Sequence, residues 1–140
     1  HLSIRRQRQM CIRDRYSAYT LVDECHASGV IGKTGRGTPE YFSIPDGAID
    51  IITSTLGKAL GGGTGGYATG KKCIIDILRQ RARPNLFSNS IAPPIAGASL
   101  EVFKMMNDEA LCTELISNLR RNTNHFRTSM NAAGFKILGH

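Results

Sequence analysis

Two short apolar runs, each followed at once by polar residues, are the clearest pattern in the first half of the chain. Residues 19–22 precede an Asp-Glu-Cys-His segment at 23–26, and residues 48–53 precede a polar segment that ends at Lys58. Short apolar runs rich in β-branched residues and bounded by polar or glycine-rich segments are typical of buried strands. Ligands collect at the carboxyl ends of parallel strands in an α/β sheet, so we expect the two polar clusters to share one crevice.

The second half of the chain has mainly helical periodicity. The pattern predicts a third short strand at residues 67–69, helices over 71–83 and from Pro93 to about Met106, and then a long helix capped by Asp108. The apolar stripe expected on the long helix consists of Leu111, Leu115, Leu119, Phe126 and Met130. Residues 135–138 predict the beginning of a further strand.

Length and charge narrow the possible classes of protein. A chain of 140 residues suits one domain, and its net charge of +7 is concentrated in residues 1–15, where five arginines against Asp14 give +4. We interpret this head as a basic tail without a functional role, with a weak likeness to an organelle transit segment. The remaining +3 is dispersed, which does not favour a nucleic-acid partner. No apolar run has the length of a membrane span, so no membrane partner is expected.

The cysteines indicate neither a disulfide framework nor a metal centre. Cys11, Cys25, Cys73 and Cys112 lack the paired spacing of metal ligands, and we expect no metal site. Cys25 and Cys112 lie in apolar surroundings that suit free buried thiols. This usage is typical of a reducing compartment.

An acid after one strand and a lysine after the next are the two groups that pyridoxal phosphate chemistry requires. Lysine forms a Schiff base with the cofactor aldehyde, and a carboxylate keeps the pyridine nitrogen protonated. Asp23 and Lys58 are 35 residues apart and could supply these groups, with Thr55 and the following glycine-rich backbone donating to a phosphate. His26 could hydrogen-bond the ring oxygen. Each residue taken alone is more typical of an ordinary turn, cap or solvated position.

Part of the same pattern occurs in a different class of protein. An apolar strand followed by residues 23–26 resembles the magnesium-binding box of superfamily 2 helicases, and Thr53, Ser54 and Thr55 fall where the next motif of that family would be. No Gly-x-x-x-x-Gly-Lys-Ser/Thr loop occurs, because Lys58 is followed by alanine. The helicase interpretation also leaves the segment from Lys58 to Ser90 unexplained. A scaffold or interaction module is a third possible class.

Four ordered motifs together resemble the α-oxoamine synthases. They are Leu-Val-Asp-Glu-Cys-His-Ala-Ser-Gly at 21–29, Gly-Arg-Gly at 35–37, Thr-Leu-Gly-Lys-Ala-Leu-Gly-Gly at 55–62, and the segment 79–90 from Arg-Gln-Arg-Ala-Arg-Pro to Phe-Ser-Asn-Ser. The likeness runs from about Tyr16 to the last residue.

The resemblance implies an α/β fold of the fold-type I, aspartate aminotransferase-like class. Residues 16–106 would be part of the large pyridoxal-phosphate-binding domain, a mostly parallel sheet flanked by helices. Residues 107–140 would begin the C-terminal small domain. The family's ring-stacking aromatic residue and its carboxylate-binding arginine match no residue of this sequence. We therefore expect the 140 residues to be an internal fragment without acetyltransferase activity of its own.

The resemblance also implies roles for individual residues. Lys58 would hold the cofactor as a Schiff base, Asp23 would pair with the pyridine nitrogen and His26 would contact the ring oxygen, which makes these three the predicted catalytic residues. Thr55 would bind the phosphate. The complete predicted cofactor-binding set is Asp23, Glu24, Cys25, His26, Thr55, Leu56, Gly57, Lys58, Ser88 and Asn89. Ser88 and Asn89 would reach the phosphate held by the partner subunit of a homodimer.

The reaction implied by the resemblance joins glycine and acetyl-CoA into 2-amino-3-ketobutyrate and releases CoA, a reaction of threonine breakdown. Sister enzymes that form 5-aminolevulinate, 8-amino-7-oxononanoate or, as serine palmitoyltransferases, 3-ketosphinganine share the same Asp, His and Lys, so they stay alternatives. The motifs at 35–37 and 87–90 favour the aminoketobutyrate branch. Members of the family are mitochondrial in eukaryotes and cytoplasmic in bacteria, and we expect the same here.

Overall fold

A computed structural model describes residues 11–139, and the first of these, residues 11–16, are helical. Beyond them the elements are β1 (Leu21–Asp23), α1 (Thr38–Tyr41), β2 (Ile51–Thr55), β3 (Gly66–Gly70), α2 (Lys72–Arg81), α3 (Arg83–Leu86), α4 (Pro93–Met106) and α5 (Glu109–Ala132). The alternation of strands and helices is that of an α/β fold.

The three strands form one mixed sheet in the order β1, β2, β3. β1 pairs parallel to β2, with Asp23 opposite Thr53, whereas β2 pairs antiparallel to β3, with Ser54 opposite Tyr67. The expectation that β1 and β2 run side by side with their carboxyl ends at one edge is confirmed. Within the described residues the sheet is mixed rather than mostly parallel, because β3 returns along β2 after the glycine-rich loop of residues 56–65.

The core lies between the loops that follow β1 and β2 and the two long helices. Its buried apolar residues are Ala27, Leu56, Leu60, Cys112 and Ile116. The loop at Ala59 and Leu60 and residues of α4 and α5 together line an apolar pocket of about 240 Å³. The helices therefore pack against the same segment that carries the predicted catalytic lysine.

The predicted helices are confirmed where residues at their ends, such as Pro93 and Asp108, fix where a helix begins. α4 begins at Pro93 and ends at Met106, and the Asp108 side chain accepts a hydrogen bond from the backbone N–H of Leu111 at 3.0 Å. The helix predicted over 71–83 divides into α2 and α3, since Ala82 is extended. Pro84 lies in the first turn of α3, where no helical hydrogen bond needs its missing N–H.

The expected apolar stripe of α5 is not its buried face. Cys112 and Ile116, one turn apart, are the buried residues of this helix, whereas Leu115, Leu119 and Phe126 are exposed. Helical periodicity places residues on a common face, but only a packing partner determines which face is covered. Within the described residues, α4 and the loop at Leu60 cover the face of α5 that carries Cys112 and Ile116.

The strand predicted at residues 135–138 is wrong. This segment has no regular structure, because a strand requires a neighbour for its backbone hydrogen bonds and none of the three described strands pairs with it. Across residues 11–139, no helix is both long and apolar enough to span a membrane.

The described part of the predicted tail contributes to the fold. Residues 11–16 are helical, and Arg13 Nη2 lies 3.7 Å from Oδ2 of the buried Asp50. The earlier part of that segment, with three of its arginines, lies outside the described residues. The end of the head thus has a structural contact that its lack of periodicity did not predict.

Candidate active site

Lys58 and His26 meet at the edge of the sheet where β1 and β2 end. Lys58 Nζ lies 3.0 Å from His26 Nε2, and both residues are exposed. Each stands three positions after the last residue of its strand, so the parallel pairing of the strands brings them together. This contact shows that the two polar clusters lie together, and the prediction that they share one crevice stays a prediction.

Asp23, the last residue of β1, completes the group. Its Oδ1 accepts a hydrogen bond from the Cys25 backbone N–H at 2.9 Å. Hydrogen bonds from the Cys25 side chain and backbone lower the pKa of Asp23 below its usual value, burial raises it, and the electrostatic effect of the nearby Lys58 and His26 lowers it further. The same hydrogen bond raises the pKa of the Cys25 thiol. Asp23 is therefore an ionised carboxylate at neutral pH, and Cys25 a protonated thiol.

Thr55 organises the turn that carries Lys58. Its hydroxyl donates to the Gly65 carbonyl at 3.1 Å and accepts the Gly57 backbone N–H at 3.4 Å. The backbone N–H of Leu56 also donates to Gly65, at 2.9 Å. These bonds hold the turn after β2 in one conformation. The role of Thr55 toward a phosphate stays a prediction, with its hydroxyl hydrogen already used inside the turn.

Two residues of the predicted cofactor-binding set have buried side chains. Leu56 belongs to the core, and Glu24 is only 2% exposed. Glu24 Oε2 accepts a hydrogen bond from the Thr38 backbone N–H at 2.8 Å, so this carboxylate faces the loop before α1. Neighbouring residues at a strand end point to opposite sides, which is why Asp23 and Glu24 cannot both face the open edge. This alternation is a signal that sequence reasoning missed.

Ser88 and Asn89 are not brought to the other predicted residues. They are exposed in the loop after α3 and line a depression with Pro84 and Asn85. Among the described residues, no hydrogen bond joins either side chain to Asp23, His26 or Lys58. Their expected action in the site of a partner subunit stays a prediction.

The chemistry of the site follows from its donor set. A primary amine, an imidazole and an ionised carboxylate lie along one open edge, and the apolar cavity beside Ala59 does not include them. Within residues 11–139, no cluster of three or more His, Cys, Asp or Glu side chains could hold a metal ion. The amine suits an aldehyde, and the carboxylate suits a protonated ring nitrogen, so these residues fit pyridoxal phosphate.

Comparisons with known proteins agree with this chemistry. The family model described as aminotransferase class I and II matches residues 9–140, which begins inside the predicted tail. The 2-amino-3-ketobutyrate coenzyme A ligase of Salmonella typhimurium is 48% identical over 128 residues, covering 91% of this chain and 31% of the relative. The mitochondrial enzyme of the same name from Homo sapiens is 45% identical, covering 92% of this chain and 30% of the relative. The chain thus spans about a third of the length of these relatives.

Solved structures share the architecture. A high-resolution structure of SPT, serine palmitoyltransferase, with its PLP internal aldimine has a TM-score of 0.77 at 25% identity, covering 91% of this chain and 31% of that one. The 8-amino-7-oxononanoate synthase of Francisella tularensis has a TM-score of 0.70 at 29% identity, covering 85% and 34%. The sheet edge described above therefore belongs to a fold in which pyridoxal phosphate is bound.

Proposed function

We propose a function for this chain from the fact that it belongs to the aminotransferase class I and II family. Lys58 holds pyridoxal phosphate. The protein serves the condensation of glycine with acetyl-CoA to 2-amino-3-ketobutyrate and CoA. The observation that carries the proposal is the 3.0 Å approach of Lys58 Nζ to His26 Nε2 at the sheet edge that also bears Asp23. The names of the relatives at 48% and 45% identity support the choice of substrates.

The proposed division of labour follows from the charge state of each group. When bound, pyridoxal phosphate supplies an electron sink for the negative charge that develops on the α-carbon of an amino acid. Asp23, held ionised by its hydrogen bonds, keeps a proton on a ring nitrogen. Lys58 would hold the cofactor through Nζ, and this amine, when free, would accept the proton that leaves the α-carbon of glycine.

His26 controls the proton on Lys58 Nζ. A 3.0 Å contact between an amine and an imidazole nitrogen requires that one of them donates and the other accepts. When Lys58 Nζ donates, Nε2 is the acceptor, so the imidazole lies on the path that a proton leaving Nζ would take. His26 thus activates Lys58, and it also orients the amine along the sheet edge.

The proposal extends to the acyl donor, the oligomeric state and the cellular location of the protein. Sister synthases with other acyl donors are the alternative, and we rank them second because an 8-amino-7-oxononanoate synthase is 40% identical, against 48% and 45% for the aminoketobutyrate ligases. We expect a homodimer in which Ser88 and Asn89 reach the cofactor phosphate of the partner subunit. We expect a mitochondrial location in a eukaryote, as the name of the human relative states, and a cytoplasmic one in a bacterium.

Pyridoxal phosphate binding is the direct test. Pyridoxal phosphate is added to the complete polypeptide that carries these residues, and the near-ultraviolet to visible band of the lysine-bound cofactor is recorded. Lys58→Ala should abolish the band, whereas Lys72→Ala, which changes an exposed lysine paired with Asp76 on α2, should keep it. A band that persists in Lys58→Ala contradicts the proposal, as does nucleotide hydrolysis stimulated by nucleic acid in place of cofactor binding.

The acyl donor is tested by the release of free CoA in the presence of glycine. Acetyl-CoA is compared with longer acyl-CoA thioesters at equal concentration. The proposal expects the fastest release from acetyl-CoA. A faster release from a longer thioester would assign the protein to a sister synthase and would leave the roles of Lys58 and Asp23 unchanged.

A further inference from the structure

We propose that Glu24 is a positioning residue whose buried carboxylate fixes the glycine-rich loop of residues 29–38 against the segment that carries His26 and Lys58. The inference rests on the proposed function, because it takes Lys58 as the cofactor lysine. Glu24 does not touch the reacting groups and acts through the loop and through its own backbone.

The environment of the Glu24 side chain is unusual for a carboxylate. It is 2% exposed, and within the described residues no cation pairs with it. Oε2 accepts the Thr38 backbone N–H at 2.8 Å, while Oε1 has no hydrogen-bond partner in that part of the chain. Burial of a carboxylate without a cation opposes folding, and an apolar side chain would serve simple packing better. The contact with Thr38 is therefore the specific use of this group.

The backbone of Glu24 is attached to β2 on both sides. Its N–H donates to the Thr53 carbonyl at 2.8 Å, and its carbonyl accepts the hydroxyl of the buried Ser54 at 3.3 Å. His26 follows two residues later. The backbone of Glu24 is thus bonded to β2, the strand that leads to Lys58, and its side chain is bonded to the loop. His26 lies in the chain between Glu24 and that loop.

The loop accepts the carboxylate at a glycine. Gly37 has a φ of +87°, and a Cβ at this position would lie 2.2 Å from Glu24 Oε2. A side chain there would be strained in its backbone and would also displace the carboxylate. Glu24 therefore packs directly against the loop backbone at the residue before Thr38.

Hydrogen bonds within the loop tie its residues together. The carboxylate of Glu40 accepts the backbone N–H groups of Thr34 and Arg36, each at 3.0 Å, and the Thr34 hydroxyl at 2.8 Å. The Gly37 N–H donates to the Ile31 carbonyl at 2.7 Å. Internal bonds of this kind make the loop move as one unit.

The far side of the loop lies against the residue that follows Lys58. Gly29 donates its N–H to the Gly35 carbonyl at 2.7 Å, and a Cβ on Gly29 would lie 3.1 Å from the Cβ of Ala59, so the two residues lie close together. The structure therefore closes a ring of contacts from Glu24 through the loop to Ala59, Lys58 and His26. Release of Glu24 from Thr38 frees the loop, and the Lys58 to His26 distance is no longer held.

The experiment uses the complete polypeptide and pyridoxal phosphate as the probe. Equilibrium binding is measured by absorbance titration, the pH midpoint of the cofactor band is recorded, and the melting temperature without cofactor is measured separately. Glu24→Ala should weaken pyridoxal phosphate binding about tenfold, or about 1.4 kcal/mol, because the loop would no longer hold the segment that carries Lys58. The pH midpoint of the band should also shift, since the amine and imidazole move relative to one another.

Conservative variants separate geometry from charge and from folding. Glu24→Gln should recover most of the binding lost in Glu24→Ala, because its amide oxygen can still accept the Thr38 N–H. Glu24→Asp should not, since its side chain is one methylene shorter. A loss in Glu24→Gln as large as in Glu24→Ala would overturn the positioning role in favour of a charge role. Wild-type binding and pH midpoint in Glu24→Ala would overturn the proposal outright.

Thr38 provides a second test that leaves Glu24 in place and decides the matter if Glu24→Ala does not fold. Thr38→Pro removes the N–H donor at the first position of α1, where proline is tolerated, and should weaken binding as Glu24→Ala does. Thr38→Ala keeps the N–H and is the matched control. Unchanged binding in Thr38→Pro overturns the proposal. A wild-type protein without the cofactor band would instead indicate failure of the proposed function.

Discussion

The Nζ atom of Lys58 lies 3.0 Å from Nε2 of His26, although 32 residues separate them in the chain. Parallel pairing of β1 with β2 creates this contact, because both residues stand three positions beyond the end of their strands. The pair is exposed at the sheet edge, next to the ionised Asp23. An amine, an imidazole and a carboxylate are thus assembled from two short segments.

Replacement of His26 should impair proton transfer at Lys58. His26→Ala is expected to lower kcat for CoA release from acetyl-CoA and glycine by about 10²-fold or more, the contribution of a positioned acid–base group. The measurement is made on the complete polypeptide at saturating cofactor. His125→Ala, which changes an exposed histidine on α5, is the control and should leave kcat unchanged. Equal rates for His26→Ala and wild type would contradict the role given to His26.

Asp50 should make the stability of the folded protein depend on pH. Hydrogen bonds from the Thr20 backbone N–H, the Lys71 ammonium and the Thr20 hydroxyl lower the pKa of this buried carboxyl to about 2 against the effect of burial. Since the pKa is lower in the folded state than in the unfolded state, where it is about 3.9, the stabilisation is complete above about pH 4. It is lost as the pH falls from there to about 2.

Urea denaturation at several pH values tests this dependence. The urea midpoint of Asp50→Asn should lie below that of the wild type near neutral pH, and the difference should shrink as the pH approaches about 2. Asp46→Asn, at an exposed aspartate, is the matched control and should follow the wild-type curve. A difference that stays constant down to the lowest pH would show that Asp50 acts through shape rather than through its charge.

Gly62 and Gly61 should respond differently to alanine. A Cβ on Gly62 would lie 2.2 Å from the Ser99 hydroxyl oxygen and 3.2 Å from the Ser99 Cα, whereas a Cβ on Gly61 meets nothing within 4 Å. Gly62→Ala should lower the free energy of unfolding by about 1–3 kcal/mol, the usual cost of overpacking. Gly61→Ala should be tolerated, and equal destabilisation by the two substitutions would rule out the contact with α4 as the cause.

The Asp108 cap of α5 should contribute measurably to the stability of the folded protein. Asp108→Ala removes the acceptor of the Leu111 N–H and should lower the free energy of unfolding by about 1 kcal/mol. Asp108→Asn retains a capping oxygen and should restore most of the loss. Urea unfolding followed by circular dichroism gives both values, and an alanine variant as stable as the asparagine variant would exclude a capping role.

Features set by neighbouring residues could be predicted from the sequence. The strands before Asp23 and Lys58, the start of α4 at Pro93 and the cap at Asp108 all depend on local backbone chemistry, which residue order largely determines. The meeting of His26 and Lys58 also followed, because a general rule for parallel strands applied to two recognisable strand ends. The roles of these residues toward a cofactor stay predictions that the experiments above test.

Features set by distant partners were decided only by the tertiary structure. The antiparallel return of β3, the burial of Cys112 and Ile116 rather than the leucine stripe, and the absence of a strand at 135–138 depend on which elements pack or pair together. The burial of the Glu24 side chain was also decided by the tertiary structure. The sequence by itself determined which chemical groups stand at the strand ends, because this is local, whereas packing decided which of them face the open edge and which hold the loop behind it.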